Sequence, residues 1–131
     1  MIVNVLRIRF KDGVSVAEQE EVLAVMRRTA ALESVAFGAV GKDFGNPADG
    51  FTHSYLAAIP DLDALERYMH DPVHLSGDDL ILDKLEKMSA VRFSDDGDPD
   101  VGKAVYGVAT RKMEMYPEWA KRIDELFGAN V

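Results

Sequence analysis

The sequence predicts an α+β domain, and three observations carry that prediction. Met1 to Phe10 alternates with period two, the pattern of a strand with two different faces. Ser15-Val16-Ala17-Glu18 follows as a capping box: the serine hydroxyl takes the Glu18 amide and the Glu18 carboxylate reaches back. Beyond it, short β-branched or aromatic runs and amphipathic segments succeed one another in the order β-α-β-β-α-(α)-β.

In the first strand Asn4, Leu6, Ile8 and Phe10 share one face, and Val3, Val5, Arg7 and Arg9 share the other. Lys11-Asp12-Gly13 is a turn. The capped helix runs to about Leu32, with Val22, Leu23, Val25, Met26 and Ala30 as its apolar stripe. Val35 to Gly41 is a second strand. Lys42 to Gly50, with Gly45, Asn46, Pro47 and Gly50, is a loop. Phe51 to Ile59 is a third strand, placing Phe51, His53, Tyr55 and Ala57 on one face and Thr52, Ser54, Leu56 and Ala58 on the other. Pro60-Asp61 opens a helix over about 62–70, and Asp71-Pro72 breaks it because a residue before proline is pushed out of the helical region. Pro72 can serve as the first residue of the following turn. A further helix is expected over about 78–88, with Ile81, Leu82, Leu85 and Met88 apolar, and a fourth short strand from Ala90 to Phe93. This order is the ferredoxin-like split βαβ plan. Such a sheet carries helices on one face and leaves the other bare. Val3, Val5, Leu56 and Ala58 are too apolar for solvent, so a second copy of the chain is expected to cover them.

Asp95 to Asp100 is a composition break, read as a solvated linker because it lacks the later glutamate of a calcium loop. Val101 to Thr110 is expected as a strand or an extended arm, and Pro117 to Phe127 as a helix with Trp119, Ile123, Leu126 and Phe127 apolar. The methionines and aromatics at Met113, Met115, Tyr116 and Trp119 read as packing.

A chain of 131 residues is most simply one domain. Its hydrophobic content of 47% fits a globular protein. A net charge of −8 repels phosphate backbones and argues against nucleic acid as a partner. The chain has no cysteine, which excludes disulfides and thiolate chemistry and fits a cytoplasmic protein. The opening residues read as a strand and not a secretory signal, and no apolar run approaches a membrane span.

Chemistry is concentrated in Tyr68-Met69-His70-Asp71-Pro72-Val73-His74 and in Gly50-Phe51-Thr52-His53. A cavity between sheet and helices would be lined by Asn4, Leu6, His53, Tyr55, Tyr68 and His74. In a catalytic reading His74 is the base, Tyr68 donates to a developing enolate, and His53 orients one of them. In a structural reading His74 caps backbone near Pro72, His53 bonds within the sheet, and Tyr68 is a core aromatic with its hydroxyl satisfied. No metal site is expected: Pro72 interrupts the register between His70 and His74, and Asp78 and Asp79 read as solvated or as caps of the next helix. No cofactor is expected either, since Gly41-Lys42-Asp43-Phe44-Gly45 lacks a phosphate-cradling pattern.

Three segments in this order resemble the stress-responsive A/B barrel family of the dimeric α+β barrel superfamily. They are Phe10-Lys11-Asp12-Gly13-Val14-Ser15, Asp49-Gly50-Phe51-Thr52-His53, and Leu65-Glu66-Arg67-Tyr68 followed by Asp71-Pro72-Val73-His74. The resemblance covers about residues 2–95. It implies a homodimer whose two sheets face each other as a closed barrel. The expected organisation is a domain at 1–95 and an extension at 96–131 that packs on the barrel or on the partner subunit. One plant member of the family, a polyketide cyclase, uses a histidine on its first strand, a tyrosine and a later histidine. By this resemblance the tyrosine falls on Tyr68 and the later histidine on His74, whereas the first histidine falls on Asn4, a departure that removes one expected group.

Two function classes follow. One is a homodimeric protein that binds a small apolar or carbonyl ligand without turnover. The other is a cofactor-independent enzyme acting on a carbonyl compound such as a polyketide, as a cyclase, isomerase or related oxygenase. The second requires Tyr68 and His74 to converge on a ligand-sized cavity.

Overall fold

The alternating residues Ile2–Phe10 form β1, the strand on which the sheet is built. In the computed structural model, which describes residues 1–128, β1 is followed by α1 (Val16–Ala30), β2 (Phe37–Lys42) and β3 (His53–Ile59). Then come α2 (Leu62–His70), α3 (Pro72–Leu82), β4 (Leu85–Ser94), α4 (Pro99–Met115) and α5 (Pro117–Gly128). The sheet order is β2-β3-β1-β4, and every pairing is antiparallel. Asn4 stands opposite Ala57 and Arg92, and Leu6 opposite Tyr55 and Ala90, so these residues share the helix-facing side.

The capping box at Ser15 and Glu18 is present, and Val22, Leu23, Val25, Met26 and Ala30 are all buried. The helix lies close to the sheet: a Cβ on Gly38 would stand 2.7 Å from the Ala30 Cβ, so only glycine fits there. Asp71 serves two helices at once. Its backbone N–H bonds the Tyr68 carbonyl at the end of α2, and its side chain accepts from the Val73 amide at the start of α3.

Three expected elements differ. The third helix occupies Pro72–Leu82 and not 78–88, since the Asp71 cap and Pro72 start it directly. The fourth strand runs from Leu85 to Ser94, longer than the expected Ala90–Phe93. A register shift between Arg9 and Phe10 turns both Leu85 and Met88 to the core, and this three-residue spacing imitates a helical stripe. The segment Val101–Thr110 is part of the helix α4, not a strand or arm. Asp98 caps it and Pro99 is its first residue.

The extension folds back onto its own chain. The helix α4 packs against α2, and α5 packs against β4, burying Val108, Lys112, Ile123 and Leu126. Arg111 pairs with Glu66, Tyr116 bonds His70 Nδ1 at 3.1 Å, and Arg122 pairs with Asp83 at 2.7 Å. The last three residues of the expected extension lie outside the described residues.

On the opposite side of the sheet, no helix among the described residues packs over the cross-strand rows Phe37–Ala58–Val3–Phe93 and Ala39–Leu56–Val5–Val91. Phe37, Val91 and Phe93 are each more than half exposed. Arg7, on the same side, holds the loop between β2 and β3 through Asp43 at 2.7 Å and Asp49 at 3.1 Å, and stacks on Phe51. Among the described residues, no helix is long and apolar enough to cross a membrane.

Candidate functional site

The strand β1 sends Asn4, Leu6 and Ile8 toward the helices, where the packing stops short of contact and leaves a cavity of about 250 Å³. Tyr55 from β3 and Met88 from β4 extend its floor. Tyr68 and Met69 from α2, and His74 and Asp78 from α3, form one wall. The extension forms the roof with Lys112, Met113, Trp119, Ile123 and Phe127.

The Tyr55 and Tyr68 hydroxyls are 2.6 Å apart, so one donates to the other and a single O–H is left over for a third group. Burial pushes the Tyr55 phenol up to about 12, with the Tyr68 hydrogen bond opposing, and burial pushes Tyr68 well above the usual phenol range. Both are therefore neutral donors near neutral pH. The Tyr68 ring lies against the His74 ring, with centroids 4.4 Å apart. His74 Nδ1 is 2.8 Å from the Tyr68 carbonyl. A carbonyl only accepts, so Nδ1 carries the proton and Nε2 presents its lone pair. Burial lowers the His74 pKa, with Asp78 opposing, and keeps the ring neutral. Its Nε2 stands 3.6 Å from Asp78 Oδ2.

Asp78 accepts from Trp119 Nε1 at 2.8 Å, and it lies inside α3, not at a helix start as a cap would. Lys112 Nζ sits 4.3 Å above the Trp119 ring and 3.9 Å from Asp78 Oδ2. The Lys112 side chain is 1% exposed, and its Nζ has no hydrogen-bond partner. Burial pulls its pKa down to about 8, with Asp78 opposing and Arg92 adding to the fall. Asn4 Oδ1 is likewise buried and unpaired.

The structure brings Asn4, Leu6, Tyr55, Tyr68 and His74 to one cavity. It does not bring His53 there. His53 pairs in register with Ile8, two residues beyond Tyr55 and so about 7 Å further along the strand. Its ring stands edge-on to Phe10, Nδ1 is 2.9 Å from Thr52 Oγ1, and burial lowers its pKa. Asp78, Lys112 and Trp119 belong to the site although sequence reasoning did not place them in it. The available signal was a lysine on the helical stripe Val101, Val105, Val108, Lys112, which requires α4 to be recognised as a helix first.

A four-stranded antiparallel sheet with helices on one face and a small polar-spotted cavity between them defines a ferredoxin-like α+β protein. Residues 2–95 match the sequence profile of the stress responsive A/B barrel domain, and the chain belongs to that family. No curated protein matches this chain. Among solved structures it is similar to a protein from Arabidopsis thaliana, at 25% identity over 75% of this chain and 98% of that one, with a TM-score of 0.63. It is also similar to a dimeric ferredoxin-like protein of unknown function from Thermobifida fusca, at 24% identity over 71% of this chain and 89% of that one, with a TM-score of 0.63. A hydroxynitrile lyase from Passiflora edulis aligns at 18% identity over 74% of this chain and 94% of that one, with a TM-score of 0.65, a likeness of fold alone.

Proposed function

We propose that this chain is a homodimeric, cytoplasmic small-molecule-binding protein, with a barrel domain at residues 1–95 and an extension at 96–131 that closes the ligand site. The observation that carries the reading is the cavity of about 250 Å³, lined mostly by apolar side chains with a few convergent polar groups. An engineered cavity of about 150 Å³ admits benzene, so this one suits a somewhat larger molecule, below the usual drug-sized range. The exposed apolar rows on the open sheet face support the dimer, as does the description of the Thermobifida fusca relative as dimeric. The test is a calorimetric screen of small apolar and carbonyl compounds against the native chain and Leu6→Trp, which fills the cavity. Binding to the native chain that disappears in the variant is expected. Equal binding to both would move the ligand elsewhere.

A second reading is supported by the pairing of a neutral His74, with a free Nε2 lone pair, and the Tyr68 hydroxyl on the same cavity. It makes the protein a cofactor-independent enzyme on a carbonyl compound, polyketide cyclase-like or isomerase-like. In it His74 removes a proton next to the carbonyl and Tyr68, bonded to Tyr55, donates to the enolate oxygen. Asn4, at the position of the family cyclase's first histidine, offers its amide to the carbonyl. Tyr68→Phe and His74→Ala should each abolish turnover while leaving the circular dichroism spectrum unchanged. Full activity in both variants would remove this assignment.

A further inference from the structure

We propose that the cavity selects a small apolar carboxylate and that Lys112, from the extension, is the residue that holds the carboxylate. This rests on the reading of the cavity as a ligand site, and adds the charge of the ligand and the group that recognises it. Lys112 lies beyond residues 2–95, which match the family profile, so it is an addition to the barrel domain and not part of it.

The first observation is an ammonium with nothing to donate to. Lys112 carries three N–H donors, lines the cavity, is 1% exposed, and makes no hydrogen bond. A buried donor left unsatisfied costs folding free energy, more so when it is charged. Its nearest carboxylate does not complete it. Asp78 Oδ2 is 3.9 Å away, already accepts from Trp119 Nε1 at 2.8 Å, and faces His74 Nε2 at 3.6 Å. The second observation is Arg92, opposite Asn4 on β4. It lines the same cavity, is exposed, and makes no hydrogen bond or ion pair with the described residues. The cavity thus holds two cations, Lys112 and Arg92, against one carboxylate, Asp78, within a chain whose net charge is −8. The third observation is the rest of the lining. Leu6, Met113 and Phe127 offer an aliphatic or aryl body an apolar surface and no further charge.

A ligand carboxylate between Lys112 and the rim would supply the missing acceptor. It would also relieve the repulsion between the two cations, which contributes to the low Lys112 pKa. The neutral phenols Tyr55 and Tyr68 make no hydrogen bond to Lys112 Nζ, and the one O–H that their pairing leaves over is a further donor for an anion.

The experiment is isothermal calorimetry on the full chain at neutral pH with matched pairs: hexanoate against hexanamide, and benzoate against benzamide. Each acid is expected to bind roughly tenfold to a hundredfold more tightly than its amide, the range for a hydrogen bond to a charged group. Lys112→Met keeps the apolar stem and removes the charge, and should take away most of the preference, more than Arg92→Gln does, while the amides still bind. Arg92→Gln, at the exposed rim, should reduce the preference without altering the fold, and so tests the charge argument even if Lys112→Met fails to fold. Amides binding as well as acids to the native chain would overturn anion selection and leave the cavity reading standing. An undiminished preference in Lys112→Met would overturn the role of Lys112. No binding by any of the four compounds would count against this inference and against the cavity reading together.

Discussion

The two faces of the sheet are built from the same strands and reach opposite outcomes. Toward the helices, β1 presents Asn4, Leu6 and Ile8 to a surface that the chain itself covers, yet the cover leaves a hollow with unpaired polar atoms. Away from them, it presents Val3 and Val5 to rows that continue through Phe93 and Val91, apolar and uncovered. Incomplete packing under a roof that stays open at the Arg92 rim suits a small guest. A flat apolar face with no roof suits another protein surface.

That contrast can be broken most severely on the open face. Val5→Asp would bury a lone carboxylate in a dimer interface, at a cost of about 3–5 kcal/mol, and light scattering should shift from the dimer mass to the monomer mass. A variant that stays dimeric would mean the interface lies elsewhere. On the covered face, Leu65→Ala removes a side chain with no exposure and should cost about 2–5 kcal/mol in urea unfolding. Leu6→Ala, at the edge of the existing hollow, should cost clearly less, and equal costs would mean that the hollow is filled in solution.

The roof can be probed by pH. Lys112 has a folded pKa of about 8 against an ordinary 10.5, so between these values the unfolded chain binds more protons and stability rises with pH. The gain is at most about 3 kcal/mol, and it should be read between pH 8 and pH 9.5. Above about pH 10 the raised pKa values of Tyr55 and Tyr68 act the other way, because the unfolded phenols ionise first. Lys112→Met should flatten the rise, and an unchanged slope would place the responsible group elsewhere. The smallest effect belongs to the sheet rim: Arg7→Ala loses partly exposed pairs with Asp43 and Asp49 and should cost about 1 kcal/mol or less by thermal unfolding.

The parts of this architecture legible in the sequence are those where local signals agree with the fold. The alternation of β1, the Ser15–Glu18 box and the Pro60-Asp61 start of α2 each point one way. Legibility failed where a long-range pairing rewrote the local pattern. Leu82, Leu85 and Met88 are spaced as on a helix, but the register shift against β1 makes the last two strand residues. Asp98-Pro99 opens a helix in the same way as Asp71-Pro72, yet the surrounding acidic residues read as linker. Of the site, Asn4, Leu6, Tyr55, Tyr68 and His74 were readable from strand parity and the family segments. His53 was misplaced because parity fixes a face and not a position along it. Lys112 escaped because its helix did.

The Tyr68 carbonyl is shared by the Asp71 amide and the His74 ring. Asp71 in turn anchors the first turn of the helix that carries His74. Positions 68, 71 and 74 therefore cannot drift independently. Their mutational effects should be epistatic, with a double substitution costing less than the sum of its parts. Across descendants of this chain, a replacement at one of the three would be tolerated chiefly on backgrounds that had already changed another.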